Sequence, residues 1–132
     1  MKVTVDTNIL IRAAMRDDIQ QAAAASQLLK DAEIIAIPLP CLCEFVWVLR
    51  RVYGIGRTDI RAALQALLDA GNVAVNRPAV DAGLAMLDAG GDFADGLIAF
   101  EGRWLGGEIF VSFDKNAFAL LDKPGQAARL PV

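Results

Sequence analysis

Short β-branched, apolar runs alternate along this chain with longer stretches of helical spacing. That alternation restricts the fold more than any other feature. Residues 3–6, 34–37, 72–75 and 108–112 read as strands. Helices are expected to about Arg16, then over 19–30, 41–53, 59–70, 78–87 and from Asp92 or Phe93 to Gly106-Gly107, with a short last one at 115–121. Asp17-Asp18 reads as the cap of the second helix and Thr58 as the cap of the fourth. The tail from Lys123 adds at most a short edge strand. Strands that alternate with helices argue an α/β fold with a parallel sheet. The 34–37 run is apolar on both faces, as a buried parallel strand requires. In such a sheet one edge collects the carboxyl ends of strands and the amino ends of helices, and ligands bind there.

The 132 residues suit one domain, 1–132. An apolar fraction of 55% exceeds the usual range and points to additional burial in a homodimer interface. The net charge of −3 provides no global basic footprint, so an RNA partner would have to be met by local arginines or by metal ions. The longest apolar run, 34–49, is broken by Pro38, Pro40 and Glu44, and no membrane span or signal segment is read. There is no histidine, which removes Ser/His and Cys/His catalysis and His-based zinc sites. Cys41 and Cys43 read as small thiols in a cytoplasmic core.

Four carboxylates fall on the ligand-binding edge. Asp6 ends the first strand, where it is either a ligand or a cap for the helix that follows. Glu44 lies in the first turns of the helix after strand two. It is the only charge within 34–49, so it reads as a buried acid in need of a partner, with an exposed helix-start glutamate as the alternative. Arg51, two turns on, would only graze it. Asp92 and Asp95 have capping-box spacing, with Asp92 assigned mainly to the cap and Asp95 mainly to the site. Asp114 lies two residues beyond Ser112, after the fourth strand.

Four carboxylates near one point repel, by about 4 kcal/mol for a pair at ~4 Å and an effective dielectric of about 20. A divalent cation offsets this. Oxygen-only ligation suits Mg²⁺, with Mn²⁺ as a substitute, and such a site favours phosphodiester hydrolysis.

The ordered set Val5-Asp6-Thr7-Asn8, Glu44, Phe93-Ala94-Asp95-Gly96-Leu97-Ile98-Ala99 and Val111-Ser112-Phe113-Asp114 resembles the PIN domain, and in particular the VapC-like toxins of toxin–antitoxin pairs. The resemblance covers nearly the whole chain. It implies a three-layer α/β fold with a central, mainly parallel four- to five-stranded sheet flanked by helices. It also implies an Mg²⁺-dependent ribonuclease whose acids match Asp6, Glu44, Asp95 and Asp114, with Asn8 and Ser112 as supporting polar residues. A cognate antitoxin and a homodimer follow from the same likeness. Gly96 stands where the family more often has Ala, a change expected to weaken the helix start slightly.

Arg12, Arg16, Arg50, Arg51, Arg57, Arg61 and Lys115 are candidate contacts to RNA phosphates, or simply solvated cations. Trp47, Tyr53 and Trp104 are candidate base contacts, although helical spacing places the two tryptophans in the core or a dimer interface. Two other functions fit parts of the pattern. One is a catalytically silent PIN-like module that binds RNA or protein, which would have no need of four acids. The other is a phosphohydrolase of another α/β class. The haloacid-dehalogenase type wants a second Asp where this chain has Asn8.

Overall fold

The computed structural model describes all residues, Met1–Val132, and the chain divides into two compact units, Met1–Asn76 and Arg77–Val132. Both are α/β with parallel strands.

The first unit runs β1 (Lys2–Thr4), α1 (Thr7–Met15), α2 (Ile19–Asp31), β2 (Ile34–Ala36), α3 (Leu39–Arg51), α4 (Arg57–Asp69) and β3 (Val73–Ala74). Its sheet has the order β1-β2-β3, in register Val3 to Ile35 and Ile35 to Val73. Ile35 and Ile37 are buried, whereas Ile34 is 38% exposed, so β2 is apolar on both faces but covered on one. Leu10, Leu42, Phe45, Leu49, Ile60 and Leu64 complete the core from the helices. Burial of side chains this size contributes roughly 1.5–3 kcal/mol each.

Two helix starts differ from expectation. α3 begins at Leu39 rather than Cys41, because Pro38 is the N-cap and Pro40 sits inside the first turn. Proline's fixed φ suits that turn, and its missing N–H is one the helix would not have used. α4 begins at Arg57 behind Gly56, so Thr58 lies inside the helix and is not its cap.

The second unit runs α5 (Arg77–Asp88), α6 (Phe93–Trp104), β4 (Ile109–Val111), α7 (Lys115–Leu121) and β5 (Ala127–Arg129). β4 and β5 form a two-stranded parallel sheet, with Phe110 opposite Ala128. The five strands are thus three in one sheet and two in another, smaller than a sheet of four to five. Each strand holds only two or three residues, and so few ladder bonds.

α5 and α6 pack closely through glycine. A Cβ on Gly83 would lie 2.7 Å from the Phe93 ring, and one on Gly96 would lie 2.5 Å from the Ala82 carbonyl oxygen. Val80, Leu84, Leu87, Phe93 and Leu97 fill this contact.

Candidate functional site

In the first unit the site begins where β1 ends. Asp6 has extended backbone, φ −93° and ψ 176°, and caps α1: its Oδ1 accepts a hydrogen bond from the Ile9 N–H at 3.3 Å. The capping oxygen satisfies an orphan helix donor, and Oδ2 remains for another partner. The next residue, Thr7, is buried and hydrogen-bonds the buried Cys41 thiol from α3. Burial pushes that thiol up, and the carboxylates of Asp6 and Glu44 push it further, while the Thr7 bond works against them. Cys41 therefore sits in the field of both acids. Cys41 is buried as expected, but its place beside two acids was not foreseen. The only sequence signal is Thr7 directly after Asp6.

Glu44 is exposed on α3, which corrects the expectation of a buried acid. It stands on the helix face that also exposes Trp47, so a charge at this position needs no internal partner. Asn8 is exposed in the first turn of α1. Arg50 and Arg51 are the exposed last residues of α3.

In the second unit three aspartates gather at helix starts. Asp92 caps α6, its Oδ1 accepting from the Ala94 N–H at 3.2 Å. Asp95 lies half-buried in the first turn of the same helix. Asp114 caps α7, its Oδ1 accepting from the N–H groups of Asn116 at 2.9 Å and Ala117 at 3.1 Å. The Ser112 hydroxyl accepts from the Asp114 N–H at 3.0 Å, which fixes the turn that aims Asp114. Burial raises the Asp95 pKa above its ordinary value, and the Asp92 and Asp114 carboxylates raise it further. Lys115 follows as the exposed first residue of α7.

No group of three or more His, Cys, Asp or Glu side chains stands close enough to hold a metal ion. The donor chemistry nevertheless fits a hard divalent cation. All the ligands on offer are carboxylate oxygens, Asp6 and Asp114 each keep one oxygen outside their capping bonds, and like charges crowd Asp95.

A second cluster lies beside Asp6. The Tyr53 hydroxyl donates to Asp17 Oδ2 at 2.7 Å, and Arg12 NH1 donates to Asp17 Oδ1 at 3.2 Å. The Tyr53 bond holds the Asp17 carboxyl below its ordinary pKa, with Arg12 adding to the effect. Arg12 Nε is buried without a hydrogen-bond partner, at a cost of about 1–3 kcal/mol. A cleft of about 510 Å³ runs along this face, lined by Asp6, Asn8, Ile9 and Arg12 on one side and Gln21, Ala24, Ala25 and Leu28 on the other. Arg16 bonds the Ser26 hydroxyl at 2.9 Å. Trp47 is 57% and Trp104 76% exposed, so neither belongs to the core; helical spacing reports recurrence, not which face is covered.

No helix is long and apolar enough to cross a membrane. The model of the family described as PIN domain matches residues 3–124. No curated protein matches the chain.

Proposed function

The chain belongs to the PIN domain family, whose members are generally nucleases, and from that premise we propose that it is a divalent-metal-dependent endoribonuclease. One observation carries the reading: Asp6, Asp95 and Asp114 all stand at the N-termini of helices. There the backbone N–H groups and the helix dipole favour negative charge, and the capping bonds of Asp6 and Asp114 aim their carboxylates.

Asp6 and Glu44 of the first unit and Asp95 and Asp114 of the second are the acids that would serve as ligands to Mg²⁺, with Mn²⁺ able to take its place. When bound, the ion supplies Lewis acidity toward a phosphoryl oxygen and lowers the pKa of a water molecule. The chain's own residues do the rest. Asp6 and Asp114 stay fixed through their capping oxygens and offer the other oxygen as a ligand. Ser112 fixes the turn before Asp114, and Asn8 provides an amide beside Asp6. Asp92 caps the helix that carries Asp95 and adds its like charge to the burial that raises the Asp95 pKa. Arg12, Arg50, Arg51 and Lys115 offset phosphate charge on the RNA.

The biological role is that of a toxin in a toxin–antitoxin pair, in the cytoplasm, as a homodimer held in check by a cognate antitoxin. The ordered PIN motifs support this role. The exposed Trp47, Trp104, Leu105 and Phe113 support an apolar interface. Incubation of a mixed RNA pool with Mg²⁺, with Mn²⁺ and with chelator tests the chemistry. Cleavage is expected with either ion and not in chelator; equal cleavage in chelator refutes the metal mechanism. A small DNA-binding-protein gene directly upstream is the expected genetic signature of the toxin role.

A further inference from the structure

The cleft along α1 and α2 begins at Asp6, Asn8 and Arg12 and runs on past them to Gln21, Ala24, Ala25 and Leu28, which the chemistry above does not use. We infer that it is the subsite for one nucleobase next to the scissile phosphate, and that Arg12 and Gln21 set which base it takes. This inference rests on the ribonuclease reading and adds a source of sequence preference to it.

Its volume, about 510 Å³, lies in the range of small-molecule pockets. It starts at Asp6, so a base held there leaves its phosphate beside that acid. Ile9, Ala24, Ala25 and Leu28 offer apolar surface to a ring. Asn8 and Gln21 bring amides, the side chains that pair through two bonds with a base edge. Arg12 completes the wall. Its guanidinium is held by Asp17, and Asp17 by Tyr53, so the plane is set before any ligand arrives. Bases stack on such planes, and single-stranded RNA is read through pockets of this kind. A protein helix is the poorer occupant: its apolar face would desolvate two amides, a carboxylate and a guanidinium without partners.

The test compares the wild type with Arg12→Lys and Ala24→Leu. The first keeps the charge toward Asp17 and removes the plane; the second narrows the cleft from an exposed helical position. A random RNA library is cut and the new ends are sequenced. The wild type is expected to show a base preference of about tenfold at one position beside the cut, and both variants to flatten it. The same preference in all three proteins overturns the inference. Titration of the wild type and Ala24→Leu with AMP, GMP, CMP and UMP, followed by NMR, tests the cleft apart from cleavage. Shifts of the Gln21 and Ala25 amide signals that Ala24→Leu suppresses support the subsite even if no RNA is cut, and then only the ribonuclease reading fails. Signals that no nucleotide moves overturn the subsite.

Discussion

Gly96 on α6 lies so close to Ala82 on α5 that a Cβ there would stand 2.5 Å from the Ala82 carbonyl oxygen and 2.6 Å from Met86 Cβ. The glycine is a packing requirement and not merely a weakened helix start. Gly96→Ala is therefore expected to destabilise by about 1–3 kcal/mol, although alanine is the better helix former. Denaturant unfolding of the two proteins measures this. A variant as stable as the wild type, or more so, would mean the helices separate at little cost.

The neighbouring residue gives a pH prediction. Asp95 has a folded-state pKa above the ordinary 3.8, so the folded chain binds more protons than the unfolded chain in the interval above 3.8. Stability in the absence of metal should then fall as pH rises through that interval. Asp95→Asn should remove this slope and leave the metal-free protein more stable at neutral pH. Thermal melts across pH with chelator present check both; an unchanged slope in the variant would place the like-charge crowding elsewhere.

Asp17 works in the opposite direction. Its pKa is depressed, chiefly by the Tyr53 hydroxyl bond, so the stability it adds is present above 3.8 and is lost as pH falls through the lower folded value. Tyr53→Phe should bring the Asp17 carboxyl back toward its ordinary value, which NMR titration of the side chain reads directly. The acid limb of the stability profile should shrink with it.

What was legible in the sequence is a matter of which signals are local. The bounds of α7 and the Asp18 cap of α2 came through because a carboxylate followed by apolar spacing states both where a helix begins and why. The same logic failed at Thr58, where Gly56 had already opened the helix with no side-chain cap. Burial was less legible. Glu44, Trp47 and Trp104 sit on helices whose period says which residues share a face, but packing decides which face is covered, and that depends on partners distant in sequence. The size of the sheets was hidden for a similar reason, since strand pairing is set by chain crossings and not by the composition of two- or three-residue runs. Asp6 and Asp95 are placed at helix starts by their sequence context, but Asp114 reads only as a residue after the fourth strand, so its capping of α7 is not legible. Its turn, held by Ser112, reads from sequence as an ordinary loop.

Capping and ligation can be separated at Asp6. Asparagine is isosteric with aspartate and caps helices equally well, so Asp6→Asn should keep the bond to the Ile9 N–H and the wild-type fold. It removes a charge from the proposed ligand set, and loss of even an outer-shell partner costs about 10- to 100-fold in metal affinity or activity. RNA cleavage by Asp6→Asn should therefore drop at least about a hundredfold while its melting temperature holds. Asp6→Ala should lose the cap as well, at about 1 kcal/mol. Asp92→Asn is the contrasting variant: the Ala94 N–H keeps its acceptor, and the site loses only a neighbouring charge. Its cleavage should stay within about tenfold of wild type, since it is no ligand in this scheme. Cleavage rates and melting curves for the three variants, measured side by side in Mg²⁺, distinguish the roles. An active Asp6→Asn beside an inactive Asp92→Asn would show that Asp6 serves only the helix and that Asp92 belongs among the ligands.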